Sequence, residues 1–362
     1  MALFRSVRAT ISPDIGLDLG TANTVVYERG AGVIVSEPSI VAYDARTDEI
    51  IAIGNAAKEM EGRVSERVRI VRPLQRGTIS DFRAAQTLVA RLVDRALSTR
   101  PRLAPRLIAS VPACATDIEC KAVEQAVRAA GARYTTYVVQ AVAAAVGAGL
   151  DIASVRSQMV VDIGGGTTEI AVLGAAGVIA MLSIQVGGSD FDLAIAHKLR
   201  AERFSIGMLT AERLKIELGH AGAWNGPYGA TVNGHDHDSV SPRAREVSAE
   251  FVGEAMRDGV ERILRGVHGV LASVPPDVAA DLIESGITLT GGGALLSGLA
   301  GEIGARTNVP TVVAPDPLTC VARGAGEILG SPTLHEQLRP HADRVTRWYQ
   351  SLRIGMRESY SP

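Results

Sequence analysis

Residues 159–173 read MVVDIGGGTTEIAVL and residues 14–27 read DIGLDLGTANTVVY. In both, an apolar stretch ends in an aspartate, a turn of small residues follows, and a β-branched stretch continues. Ile15, Leu17 and Leu19 alternate as in a strand, the run Met159–Val161 is apolar throughout, and the small-residue turn predicts that each pair of strands is a hairpin. The two aspartates, Asp18 and Asp162, lie 144 positions apart. The chain therefore reads as a duplicated domain, with one such hairpin in each half and a cleft between the halves. Three consecutive glycines, Gly164-Gly165-Gly166, weaken a strand unless the backbone must approach something closely. In the turns Gly164–Thr167 and Gly20-Thr21-Ala22-Asn23, backbone N–H groups can converge on an anion with no Cβ in the way at the glycines, which is a phosphate cradle. Asp18 and Asp162 then supply two carboxylates for one Mg²⁺, held through water because this ion keeps its hydration. DLGT alone is equally compatible with an ordinary turn. The matching pair of hairpins favours the phosphate reading.

A third small-residue turn, Gly291-Gly292-Gly293-Ala294-Leu295, follows the apolar run Ile287–Thr290 and precedes a helix. Its flat backbone can stack on a purine ring. The stretch Glu212-Arg213-Leu214-Lys215, in a helix with Thr210 as the expected cap, is a candidate nucleotide-binding segment. Glu212 and Lys215 are three apart and share a face, so one can accept from a ribose hydroxyl while the other supports the adenine side. The plainer alternative is a solvated salt bridge between the two.

Composition sets the frame. The chain has 362 residues and a net charge of −2, from 37 basic and 39 acidic side chains. Two or three domains fit that length, and the near balance of charge argues against bulk nucleic-acid binding. Hydrophobic residues are 46% but aromatics only 4%, so the core has to be built from Ala, Val, Leu and Ile. Cys114, Cys120 and Cys320 are an odd number with no CxxC pair, which implies no disulfide framework or zinc site and fits a reducing compartment. The longest apolar run, Tyr137–Leu150, is too short to span a bilayer. The N-terminal MALFRSVRAT lacks the apolar core of a signal peptide, and the expected location is the cytoplasm.

Between the hairpins, Gly32–Tyr43 reads as another strand pair broken at Glu37-Pro38, Ile50–Ile53 as a short strand and Asn55–Met60 as a helix. Leu88, Leu92, Val93 and Leu97 give Ala84–Leu97 a helical period. Leu107–Val111 reads as a buried strand and Thr116–Ala130 as a helix capped by Thr116 or Asp117. Tyr137–Val139 reads as a strand, and Ala141–Leu150 as a helix whose small residues permit close packing.

Together these segments resemble the actin, Hsp70 and sugar-kinase superfamily. Within it they resemble the MreB/Mbl family of bacterial actin-like rod-shape proteins. The resemblance rests on DLGTANTVVY from Asp18, SEPSIVA from Ser36, AKEM from Ala57, RPLQRGTISDF from Arg72, VVDIGGGTTEIAVL from Val160, TAERLKIELG from Thr210, LTGGGALL from Leu289 and DPLTCVARGAG from Asp316. It implies an α/β, actin-like ATPase fold with two duplicated lobes around a nucleotide cleft. Lobe I would cover 1–153 with an insertion at about 37–81, and lobe II 154–330 with an insertion at about 194–250. A tail, 331–362, lies beyond the resemblance, and a helix over 334–352 is expected in it.

The resemblance further implies ATP as ligand, filaments of the chain with itself, attachment to the inner face of the cytoplasmic membrane, and membrane-bound morphogenesis proteins as partners in wall synthesis. One position departs from the family pattern. Val139-Gln140-Ala141 stands where a Glu-Glu-Pro triplet is usual, and Gln140 falls on the water-activating glutamate. A carboxylate can take a proton from water, whereas an amide can only orient it, so slow hydrolysis is expected. The alternative is that Gln140 merely packs at a helix start.

Other segments carry less. His235-Asp236-His237-Asp238 has a metal-like composition but no further ligand at suitable spacing. Arg100, Arg102 and Arg106 flank Leu103 in a basic loop, and Leu3, Phe4 and Val7 with Arg5 and Arg8 make a small apolar face. The resemblance implies membrane contact at both, each weak alone and additive along a polymer. A chaperone of the Hsp70 type would share GGSDFD at Gly187 but needs a peptide-binding domain, and only 32 residues follow Gly330. A small-molecule kinase would need a further general-base carboxylate beside the phosphate turns, and no unassigned Asp motif supplies one.

Overall fold

The computed structural model describes residues 12–98, 104–175, 177–331 and Leu334. The N-terminal apolar face, Arg100, Arg102 and Leu103 of the basic loop, and the tail helix beyond Leu334 lie outside the described residues.

The first half begins with the hairpin β1 (Asp14–Leu19) and β2 (Asn23–Glu28), continues into β3 (Gly32–Pro38), then β4 (Val41–Asp44) and β5 (Ile50–Ile53). Helix α1 (Asn55–Met60), β6 (Val68–Val71) and the short hairpin β7 (Leu74–Gln75) and β8 (Thr78–Ile79) follow. Then come α2 (Phe82–Leu97), β9 (Arg106–Val111), α3 (Asp117–Ala129), β10 (Tyr134–Val139) and α4 (Gln140–Gly147). Local chemistry sets several of these bounds. Asp81 accepts from the Ala84 N–H and starts α2. Thr116 and Glu119 form a reciprocal capping box at α3, which settles Thr116 as the cap. Pro38, which has no N–H for a ladder, ends the edge strand β3, where it is tolerated. The expected pairing of Gly32–Pro38 with its successor does not occur: β3 pairs with β2, whereas β4 pairs with β5 and β6 in a separate small sheet. The break at Pro38 is a change of sheet.

The second half repeats the order. Strands β11 (Gln158–Ile163), β12 (Thr168–Gly174) and β13 (Gly177–Ile184) lead to α5 (Gly188–Ala201), β14 (Phe204–Ser205) and α6 (Met208–Leu218). The hairpin β15 (Gly229–Asp236) and β16 (Ser241–Ser248) precedes α7 (Ala249–Ser273), α8 (Pro276–Ser285) and β17 (Ile287–Thr290). After a 3₁₀ turn at Gly292–Leu295 come α9 (Leu299–Thr307), β18 (Thr311–Val313) and α10 (Cys320–Gly330).

The two large sheets have the same topology, β3-β2-β1-β9-β10 and β13-β12-β11-β17-β18. Each is a three-stranded antiparallel meander extended by two parallel strands. This is the duplication expected from the two aspartate hairpins. In β1 the residues Ile15, Leu17 and Leu19 enter a core with Leu88, Leu92 and Leu107. In β11, Met159, Val161 and Ile163 enter a core with Phe191, Leu214 and Met256. A period of two then places Asp18 and Asp162 on the opposite faces, toward the other half.

Between the sheets lie α4 and α10. Val142 and Ala144 from α4, Val321 and Ala325 from α10, and Val160, Ala171, Ile108 and Val138 from the two sheets form one shared core. The two helices cross at glycines. A Cβ on Gly147 would lie 1.8 Å from the Cys320 carbonyl oxygen, and one on Gly324 would lie 1.8 Å from the Ala143 oxygen. Gly16 likewise lets α10 lie directly on β1, since a Cβ there would be 2.1 Å from the Ala322 oxygen. Each helix packs across the division of the halves: α4 contacts β11 and β12, and α10 contacts β1, β2 and β9. Among the described residues no helix is long and apolar enough to cross a membrane.

Candidate functional site

Both phosphate-type turns sit at the same end of their sheets and touch. In the first, Gly20 N–H donates to the Asn23 oxygen at 3.1 Å, and Ser39 Oγ donates to the Gly20 oxygen at 2.6 Å. In the second, Gly164 N–H donates to the Thr167 oxygen at 2.9 Å. A Cβ on Gly165 would lie 2.6 Å from Ala22 Cβ, and one on Gly166 would lie 2.7 Å from Thr21 Oγ1. The glycines are therefore required by the meeting of the two turns as well as by any ligand. Gly188 and Ser189 N–H groups donate to the Gly164 and Gly165 oxygens at 3.0 and 2.8 Å, which fixes the second turn on the start of α5.

Beneath the turns lie three carboxylates, Asp162 and Glu169 buried and Asp18 half-buried. Asp18 accepts from Ser110 Oγ at 2.8 Å. Asp162 is 1% exposed and accepts from Thr290 Oγ1 at 2.8 Å and from Gln140 Nε2 at 3.0 Å. Glu169, directly opposite Asp162 in the hairpin register, accepts from the Ala113 N–H of the other half at 3.1 Å and from Ser183 Oγ. Burial, with the neighbouring Asp162 charge, pushes the Asp18 carboxyl up to about 7. Burial raises Asp162 to about 6 against the pull of the Thr290 and Gln140 hydrogen bonds. Burial also raises Glu169 to about 7, opposed by Ser183 and Ala113 and reinforced by Asp162. Hydroxyl and amide donors thus hold these groups, and burial of uncompensated charge is what a bound cation would relieve. The donor set of Asp18 and Asp162 fits a hard divalent ion.

The third turn closes the far wall. Gly291 has φ 77°, and a Cβ on it would lie 2.4 Å from the Ile163 oxygen and 2.9 Å from Asp162 Oδ1. Gly293 rests on the Ile163 side chain, Ala294 is buried and Leu295 is exposed. Gly292 faces open space apart from Leu318, whose Cδ2 lies 3.1 Å from a Cβ built there.

On α6 the expectations divide. The helix starts at Met208, two residues before Thr210, with Gly207 as cap, so Thr210 is not the cap. Glu212 and Lys215 do not pair with each other. Glu212 meets Lys58 of α1 at 2.6 Å, across the mouth of the cleft. Lys215 meets Asp192 at 2.8 Å and donates to the Gly188 oxygen at 3.1 Å, beside the phosphate turn. Arg213 turns to Glu217 and the Thr231 oxygen, and Leu214 is a core side chain. Neither of these two side chains is brought to the cleft. The His235–Asp238 stretch lies on β15 and its turn, where Asp236 accepts from turn N–H groups. No metal-ligating cluster occurs there among the described residues.

Sequence reasoning missed Thr290, Ser110 and Glu169. Thr290 ends its strand immediately before the third glycine turn, much as Asp162 precedes the second. That spacing is the available signal. Ser110 and Glu169 carry none, since their roles come from strand neighbours distant in the chain.

Two lobes of one topology, meeting at paired glycine turns over paired aspartates, define an actin-like nucleotide-cleft fold. The model of the MreB/Mbl protein family matches residues 12–337, and the chain belongs to that family. It is 38% identical to the cell shape-determining protein MreB of Escherichia coli (strain K12) over 341 residues, covering 92% of this chain and 98% of that protein. It is 35% identical to the cell shape-determining protein Mbl of Bacillus subtilis (strain 168) over 317 residues, covering 87% and 95%. Its structure resembles that of MreB5 of Spiroplasma citri bound to AMPPNP with a TM-score of 0.84 and 32% identity, covering 91% of this chain and 98% of that one.

Proposed function

We propose that this chain binds ATP with Mg²⁺ in the interlobe cleft, assembles with copies of itself into filaments at the inner face of the cytoplasmic membrane, and there organises wall synthesis and cell shape. The observation that carries the reading is the contact of the two glycine turns over Asp18 and Asp162, with Gln140 hydrogen-bonded to Asp162. The turns of Gly20–Asn23 and Gly164–Thr167 cradle the phosphates. Lys215 stands beside the second turn, and Glu212 and the Gly291–Leu295 turn line the ribose and base side. Asp18 and Asp162 would hold Mg²⁺, which when bound would supply neutralising charge to the phosphates. Gln140 holds its amide N–H on Asp162 and leaves its oxygen to orient a water. It cannot take that water's proton, and a positioned base adds about 10²–10⁴-fold. Turnover is therefore slow and depends on assembly closing the lobes. The membrane-facing segments are residues 3–8 and the loop at Leu103, and the membrane-bound partners act on the filament.

Sedimentation with Mg-ATP tests the core of the reading. The chain pellets as filaments, seen by electron microscopy on anionic liposomes, and Asp162→Ala abolishes the nucleotide dependence. A chain that stays in the supernatant with every nucleotide would instead act as a chaperone or small-molecule kinase of this superfamily. Single-turnover phosphate release from polymer reports on the water. Gln140→Glu raises the rate and Gln140→Ala lowers it, and one common rate for all three proteins would make Gln140 a packing residue.

A further inference from the structure

The β7–β8 hairpin sits on top of both phosphate turns. Its register is Leu74↔Ile79 and Gln75↔Thr78, which leaves Arg76-Gly77 as a two-residue loop. Both loop residues have positive φ, 49° and 80°. A two-residue loop of this kind prefers Asn-Gly, Asp-Gly or Gly-Gly, because a larger side chain is strained in the left-handed region. Gly77 has a structural reason to be there. Its N–H donates to Thr21 Oγ1 at 2.9 Å, and a Cβ on it would lie 3.0 Å from the Thr167 methyl group. Arg76 has no such reason. Its backbone packs on the second turn, with its Cα 2.9 Å from where a Cβ of Gly166 would be. Its side chain is exposed and makes no hydrogen bond or ion pair among the described residues. By contrast Arg69 and Arg83 are paired with Asp48, and Arg72 with Glu61. An arginine is thus kept in a backbone conformation that disfavours it, unpaired, against the turn proposed to hold phosphate. Backbone strain held in this way marks functional positions.

We infer that Arg76 is a charge partner of the terminal phosphate of the bound nucleotide, reaching it past Gly166. This rests on the nucleotide reading above and adds a group to it. A guanidinium there stabilises charge on the transferring phosphoryl group, which is the electrostatic form of assistance left to a site whose water-orienting residue is an amide. It also distinguishes a nucleoside triphosphate from a diphosphate.

Binding of AMPPNP and of ADP, each with Mg²⁺, is measured by calorimetry on the full chain and on Arg76→Gln, Arg76→Lys and Arg76→Gly. Losing a charge-assisted hydrogen bond lowers AMPPNP affinity roughly 10- to 100-fold in Arg76→Gln and leaves ADP within roughly threefold. Arg76→Lys recovers part of the loss. Arg76→Gly, which relaxes the loop and keeps the hairpin, behaves as Arg76→Gln does. Equal losses for both nucleotides, or none for either, would overturn the assignment. A parent chain that binds neither nucleotide would overturn the nucleotide reading itself, an outcome distinct from a parent that binds both and a variant that matches it.

Discussion

Replacing Gly324 with alanine tests the close crossing of α4 and α10. The new Cβ would stand 1.8 Å from the Ala143 carbonyl oxygen and 2.6 Å from the Gly147 nitrogen. An ordinary carbon–oxygen approach is about 3.3 Å, so α4 and α10 have to part by about 1.5 Å. The atoms met are backbone, which cannot rotate away, and the shared core around Val142, Val160 and Val321 opens with them. Overpacking of this kind costs about 1–3 kcal/mol, and the better helix propensity of alanine offsets about 1 kcal/mol. The expected net loss is about 1 kcal/mol, and Gly147→Ala behaves alike. Gly269→Ala in α7 and Gly301→Ala in α9 are the controls, since nothing lies within 4 Å of a Cβ at either. They gain up to about 1 kcal/mol each. Urea unfolding of the nucleotide-free chain, followed by circular dichroism, reads all four. A Gly324→Ala midpoint that rises with the controls would refute the close crossing.

Two further outcomes follow from the cleft. Lys58→Ala removes the ion pair with Glu212 at the cleft mouth. Both partners are about 30% exposed, so the effect is that of a half-screened pair, and bound nucleotide dissociates roughly two- to fivefold faster. The difference disappears at high salt, and an unchanged rate at low salt would mean that the pair does not hold the mouth. Glu169→Gln keeps one oxygen to accept from the Ala113 N–H, lets its amide N–H donate to Ser183 Oγ instead, and removes a titrating group. Its native carboxyl is raised from 4.5 to about 7, so its contribution to stability is full below pH 4.5 and is lost as pH rises to about 7. That loss amounts to about 3 kcal/mol by linkage. The variant's stability therefore falls less between pH 4.5 and 7 than the parent's, with Asp18 and Asp162 carrying the rest. Parallel pH profiles from urea titrations would refute the burial of a protonated Glu169.

The parts legible in the sequence were those that short-range rules decide. Apolar strands ending in Asp18 and in Asp162, each before a small-residue turn, located both hairpins, and their repetition gave the duplicated sheets. Helical spacing gave α2, and the capping residues gave α3. Long-range pairing was not legible. That β3 and β4 enter different sheets depends on β5 and β6. That Glu212 meets Lys58 instead of Lys215 depends on how two segments 154 positions apart approach each other. Of the four residues Glu212–Lys215 taken together as nucleotide-binding, helical spacing set Glu212 and Lys215 on one face, but the structure puts Leu214 in the core and turns Arg213 to Glu217. The motif as a whole had obscured that division. Thr290, Ser110 and Glu169 are ordinary strand residues until β17, β9 and β12 are laid beside the aspartates.

The exchange of α4 and α10 gives the chain an unusual kind of indivisibility. The helix that follows the last strand of each repeat is docked on the sheet of the other repeat. Cutting the chain near residue 153 would therefore not yield two independent lobes. Each fragment would carry a helix belonging to its counterpart and would expose the bed for the one it lacks. Such fragments are suited to reconstitution: mixed, each completes the other, and alone, each presents an apolar trough the length of a helix. The ancestral duplication can thus be pictured as a pair of identical subunits swapping their terminal helices, later joined end to end, so that the link between the lobes is packing as well as peptide.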